Sequence, residues 1–159
     1  MKKLYIQSAP ESIHHVESFI EQLCDDLKIN NTYFGNISIA LTEAFSNALH
    51  HGNKNDAEKK ILIMYEKTNA GLVFRISDEG EGFNFSEIMD SIHHDRFSED
   101  FKGRGLLLMC SLSDDVRFSG NGNTVEILFK IAGINQETSI YRQRLLDAYS
   151  KTVRDMANI

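Results

Sequence analysis

Three short stretches of this chain carry residue types that could do chemistry together. In DEGEGF, residues 78–83, an acceptor-only carboxylate, Asp78, is followed by Gly80 and Gly82 and then Phe83. A carboxylate there suits a donor such as an exocyclic amine, and the glycines let the backbone close on a flat ligand. In GRGLLLM, residues 103–109, Gly103 and Gly105 stand at the mouth of a helix, where free backbone N–H groups and the helix dipole attract phosphate. In ALTEAFSNALHHGNK, residues 40–54, Glu43 and Asn47 lie one helical turn apart, with His50 and His51 just beyond. Each stretch taken singly also reads as ordinary structure: a turn closing a strand, a turn before a buried helix, a solvated helix face.

The elements that must position these residues follow from periodicity. KLYIQS is a short alternating run, hence a strand, and Pro10 with Glu11 and Ser12 opens a helix to about Ile29. Its apolar residues Ile13, Val16, Phe19, Ile20, Leu23 and Leu27 repeat at three and four. Asn30-Asn31-Thr32 breaks it and can cap a second helix that continues to Gly52. On a wheel over 32–51, Phe34, Ile37, Leu41, Phe45 and Ala48 share one face, and Asn36, Glu43, Asn47, His50 and His51 the other. KILIMYEK and LVFRISD, joined through Thr68–Gly71, predict an antiparallel hairpin.

Residues 79–102 are polar, Gly-punctuated and His-rich, with a weak helical signal over 86–92; so long an irregular segment predicts a lid. GRGLLLMCSLSD restores helical spacing, and DDVRFSG, GNGN and TVEILFKIA predict a second hairpin. After Gly133, residues 136–158 are helical, with Ile140, Leu145, Ala148, Val153 and Met156 as apolar contacts. The expected organisation is one domain over 1–133 and a C-terminal helical extension over 134–159. The order β-α-α-ββ-lid-α-ββ predicts an α+β fold: a two-layer sandwich, its mixed, mostly antiparallel sheet covered on one face by helices.

Composition excludes several functions. The chain has 159 residues and a formal net charge of −6, with no Lys/Arg cluster dense enough to track a phosphate backbone, so nucleic acid is not an expected partner. No stretch approaches ~20 apolar residues, and MKKLYIQSAPES is too weakly apolar for a signal peptide, so a cytoplasmic protein with no membrane partner is expected. Cys24 and Cys110 lack metal-ligand spacing and read as buried thiols without a disulfide. Adjacent histidines on a helix point about 100° apart, so the pairs His14-His15, His50-His51 and His93-His94 do not make a zinc site.

The ordered set is more specific than its parts: Glu-x3-Asn-x3-His-Gly on a helix, Asp-x-Gly-x-Gly after a strand, a lid, then Gly-x-Gly opening a helix. Over residues 10–131 this resembles the GHKL family of ATP-binding domains, shared by histidine kinases, type II topoisomerases, heat-shock chaperones and mismatch-repair ATPases. The short domain with GRGLLLM and a late hairpin is most similar to the anti-sigma-factor serine/threonine kinases. The resemblance implies ATP and Mg²⁺ as cofactors, with Asn47 as the Mg²⁺ ligand, Glu43 as general base, and His51 with Gly52 completing that box near the phosphates. It implies Asp78 as acceptor for the adenine amino group, Gly80, Gly82 and Phe83 beside the base, and Gly103, Arg104, Gly105 and Leu106 as the phosphate loop. Thr124 matches the family threonine near adenine, while Asn123 stands where a second glycine is usual; Asn also adopts positive φ. Lys102 and Arg104 are placed to stabilise developing charge, and His93, His94, Arg96 and Glu99 fall in the lid.

The function so implied is an ATP-dependent protein serine/threonine kinase. It would phosphorylate a small antagonist protein and sequester a sigma factor or analogous regulator, with a homodimer as a further possibility. The alternative from a different class is an ATP-binding module that sequesters a partner without phosphotransfer. A histidine autokinase is disfavoured because no helical hairpin with an acceptor histidine precedes the domain, and a chaperone- or repair-type ATPase because no further domains follow it.

Overall fold

The structure is a computed structural model that describes residues 1–94, 104–131 and 136–157. Strand β1 (Lys2–Gln7) leads through a 3₁₀ turn at Pro10–Ser12 into α1 (Ile13–Leu27), then α2 (Asn31–Asn47), whose last turn widens into a π turn at Ala48–Gly52. β2 (Lys60–Thr68), β3 (Gly71–Asp78), α3 (Phe85–His94), α4 (Arg104–Leu112), β4 (Asp115–Ser119), β5 (Thr124–Phe129) and α5 (Gln136–Ala157) follow. Gly103, Lys102, Arg96 and Glu99 lie outside the described residues, as do the side chains of His93, His94 and Val153.

The breaks between helices are local chemistry. α1 stops where Lys28 turns left-handed at φ 54°, and Asn30 caps α2 by accepting from the Tyr33 N–H at 3.0 Å. The five strands form one sheet in the order β1-β2-β3-β5-β4, and all four pairings are antiparallel.

Strand alternation sends Ile61, Ile63 and Tyr65, Leu72, Phe74 and Ile76, and Val125, Ile127 and Phe129 to one buried face. Phe74 anchors it, 5.6 Å from the Tyr65 ring and 5.9 Å edge-on to Phe129. Val16, Ile20 and Leu23 of α1, Ile37, Leu41 and Phe45 of α2, and Leu106 and Met109 of α4 complete this core. Each such side chain contributes about 1.5–3 kcal/mol. The opposite sheet face is polar at its centre, where Arg75 donates to Glu126 at 2.6 Å and Glu66 at 3.2 Å. The α+β sandwich expected from the sequence is the observed one, with a wholly antiparallel sheet in place of a mixed one.

Two local expectations are corrected. Asn36, expected on a polar face of α2, is 0% exposed, on a helix packed by α1, α4 and α5. On α5, Ile140 and Met156 are exposed; the packing face is instead set by Arg142 and Leu146, since α5 reaches the domain through α2 and the α4–β4 turn. No helix among the described residues is long and apolar enough to cross a membrane.

Candidate active site

A cavity of about 390 Å³ opens between the end of α2, the tips of β3 and β5, the start of α4 and helix α3. Its walls are apolar: Ile76 and Val125 from the sheet, Leu106 and Met109 from α4, Phe118 from β4 and Ile88 from α3. Among the described residues its polar lining is Asp78, Asn47, His51 and Asn123. An apolar slot with a few convergent polar groups is the usual form of a small-molecule site.

Asp78 ends β3 and is fixed from three sides. Its backbone N–H donates to the Asn123 carbonyl at 3.0 Å, and its Oδ1 accepts from the Gly80 N–H at 2.8 Å. Gly52 lies so close that a Cβ there would collide with the Asp78 carboxyl, and a Cβ on Gly80 would collide with the Gly52 carbonyl. Both positions therefore need glycine for close approach rather than for φ. Burial pushes the Asp78 carboxyl above the ordinary range, opposed by the Gly80 hydrogen bond and the Lys59 charge.

The π turn delivers the polar residues after Asn47. It turns His51 toward the cavity and leaves His50 outside, its Nδ1 2.6 Å from Asn55 Oδ1. Its anchor is Asn53, a residue that sequence reasoning passed over. Asn53 is 0% exposed; its N–H donates to the Ala48 carbonyl at 2.7 Å, its Nδ2 to Lys60 O at 3.0 Å, and its Oδ1 accepts from Glu79 N–H at 2.8 Å. One amide thus ties the end of α2 to β2 and to the residue after Asp78. The only hint in the sequence was an amide directly after His51-Gly52.

At the opposite end, α4 starts beside α2, and a Cβ on Gly105 would fall 2.5 Å from Glu43 Oε2. Glu43 is half-buried, and burial raises its carboxyl above the ordinary range while the Arg104 charge pulls it partly back. Arg104 itself is exposed. The segment after β3 is held by the β4–β5 hairpin: Phe83 N–H donates to Asn121 O at 2.8 Å, and Gly82, at φ 82°, lies where a Cβ would collide with that same carbonyl. The rings of Phe83, Phe85 and Phe118 cluster with centroids 5.2–6.5 Å apart.

Of the residues singled out in the sequence, Asn47, His51, Gly52, Asp78, Gly82, Phe83, Gly105, Leu106 and Asn123 line the cavity. Glu43, Gly80 and Arg104 stand behind or beside these, Glu43 against Gly105 and Gly80 against Asp78. Thr124 does not line it. Strand parity sends its hydroxyl to the open sheet face, 2.9 Å from Ser77 Oγ, while its neighbours Asn123 and Val125 line the cavity.

Residues 6–129 match the family model of the histidine kinase-like ATPase domain. The chain belongs to the histidine kinase-like ATPase family. The matched span runs from β1 to the end of β5 and so takes in every element that builds the cavity. Among named relatives, this ATPase-family chain is 25% identical over 148 residues to the Serine-protein kinase RsbW of Bacillus subtilis (strain 168), covering 87% of this chain and 91% of the relative. It is 30% identical over 86 residues to the Serine-protein kinase RsbW of Listeria innocua serovar 6a, covering 51% of this chain and 55% of that one.

Proposed function

We propose that this chain binds ATP with Mg²⁺ in the cavity and transfers the terminal phosphoryl group to a serine or threonine of a small antagonist protein, and that its nucleotide-loaded form sequesters a sigma factor or analogous regulator. The observation that carries this reading is the partly desolvated Asp78 carboxyl, held against Gly52 and Gly80 at the wall of an apolar slot. An acceptor kept there at a cost in solvation has a use if a donor such as the adenine amino group meets it. The two serine-protein kinases among the relatives support the reaction class.

The residues present suit both groups. Ile76, Met109 and Val125 offer apolar surface to the faces of a purine, and the first turn of α4, where Gly105 lines the cavity, offers a helix N-terminus to phosphate. Asn47, in the cavity wall, would offer its amide oxygen to Mg²⁺, a cation that takes few protein ligands beside phosphates and water. Bound there, Mg²⁺ supplies neutralisation of phosphate charge. Glu43 accepts the proton of the attacking hydroxyl as the new O–P bond forms and ADP leaves, and Arg104 beside it offsets developing negative charge. Phosphotransfer is favoured over the pure binding module because a half-buried carboxylate against Gly105 costs solvation and has no role in binding alone.

The test is labelling with γ-³²P ATP and Mg²⁺ in a cell lysate. A labelled small protein whose phosphate survives acid, and whose labelling vanishes with Glu43→Gln, is expected. Acid-labile phosphate, or undiminished labelling by Glu43→Gln, contradicts the assignment.

A further inference from the structure

Asp78 by itself does not tell one base from another. A carboxylate accepts from any amine or ring N–H, so the N6 amine of adenine and the N1–H and N2 amine of guanine satisfy it alike. Held by one hydrogen bond, a base in this slot also keeps freedom to pivot in its own plane. A second polar group beside Asp78 removes that freedom, and Asn123 stands there. Ser77 pairs with Thr124 across the β3–β5 ladder, and one step on the Asp78 N–H donates to the Asn123 carbonyl at 3.0 Å. Residues directly opposite in an antiparallel ladder hold their Cβ atoms about 4.5–5.5 Å apart on one face of the sheet. Both residues line the cavity.

The hairpin fixes Asn123 and leaves its amide unengaged. Gly122 N–H donates to Ser119 O at 3.1 Å and closes the turn. A Cβ on Gly120, at φ 64° in the same turn, would fall 2.5 Å from Asn123 Oδ1, so the amide oxygen lies over the turn and Nδ2 is the end directed away from it. Among the described residues no hydrogen bond engages either end of this amide. The Thr124 hydroxyl, by contrast, is taken up by Ser77 on the other sheet face.

We propose that Asn123, and not Thr124, is the second base-reading residue of the site: its Nδ2 donates to the ring nitrogen beside the amine from which Asp78 accepts. Adenine carries such an acceptor on either side of its amine, N1 and N7, and an acceptor next to a donor is the complement of that edge. The contact presupposes the adenine nucleotide site proposed above and adds a residue to it. Two hydrogen bonds to one edge fix the base in its plane, and with it the direction in which the phosphates run toward α4.

Calorimetric titration of the full chain with Mg·ADP, which has no γ-phosphoryl group to transfer, tests this. Asn123→Ala is expected to weaken binding about five- to tenfold, and Thr124→Val to stay within about twofold of wild type. Asn123→Asp keeps the size of the side chain and an oxygen over Gly120 but has no N–H to give, and is expected to lose at least as much. The analogues 1-deaza-ADP and 7-deaza-ADP, each with one ring nitrogen replaced by C–H, close a double cycle. One of the two is expected to bind wild type about as weakly as ADP binds Asn123→Ala, and to lose nothing further in that variant; which one it is names the edge that is read. Wild-type affinity in Asn123→Ala or Asn123→Asp, an equal loss in Thr124→Val, or additive losses with both analogues overturns the proposal.

Failure of this contact and failure of the site itself give different results. If folded wild type binds none of the three nucleotides, the nucleotide site falls and the role of Asn123 falls with it. If wild type binds Mg·ADP and Asp78→Asn weakens it while the Asn123 variants do not, the site stands and the second contact is wrong.

Discussion

Asp78 sets binding against stability. Its carboxyl pKa is raised in the folded chain, so the fold binds that proton more tightly than the unfolded chain does. Such a group leaves stability intact below the ordinary Asp range and lowers it as pH rises through the raised value. Asp78→Asn keeps an oxygen that can accept from Gly80 and removes the charge. The ligand-free variant is expected to melt at a higher temperature than wild type at pH 7, with the difference vanishing by about pH 3, where both carry a neutral group. Thermal melts at the two pH values check this; a variant less stable at pH 7 would show that the carboxylate serves the fold instead. Glu43 follows the same sign through its own burial. Its use as a base predicts that kcat rises with pH through its raised pKa, and that Glu43→Gln lowers kcat about 10²–10⁴-fold. Steady-state rates across pH measure both.

At the scale of elements, the site depends on how α2 ends. Periodicity reads the segment to Gly52 as one helix, because a π turn preserves the run of apolar Ala48 and Leu49 and adds no polar signal. What makes the turn is Asn53, with three hydrogen bonds that sequence spacing cannot reveal. Asn53→Ala leaves Lys60 O and the Glu79 N–H without their partner and is expected to cost about 1–3 kcal/mol in urea unfolding. It is also expected to weaken nucleotide binding through the residue after Asp78; a variant with wild-type affinity would remove Asn53 from the site's support. Thr124 shows the converse, a position set by strand parity. Its neighbours in the hairpin line the cavity, whereas strand parity pairs Thr124 with Ser77 on the other sheet face.

For the whole molecule, the order of motifs along the chain carried the fold: a carboxylate and an amide on one helix, Asp-x-Gly-x-Gly after a strand, and Gly-x-Gly before another helix. The sheet order β1-β2-β3-β5-β4 brings the second and third pieces together at one end of the sheet, beside the end of α2. Less legible was α5, whose apolar residues are sparse and whose anchoring residue is a buried arginine, a type that composition places at the surface. Arg142→Ala removes the partner of Ser113 O and Asp114. Hydrogen exchange is expected to speed up in α5 while β2, β3 and β5 keep their protection; uniform protection across the chain would mean that Arg142 does not hold the helix.

The central claim is that the cavity at Asp78 is an adenine nucleotide site, and isothermal calorimetry with ATP and Mg²⁺ on the wild-type chain and Asp78→Asn tests it most directly. Saturable binding by wild type, weakened about tenfold or more by Asp78→Asn with the fold intact, is the expected result. Equal affinity in the two proteins, or no binding by folded wild type, would contradict it.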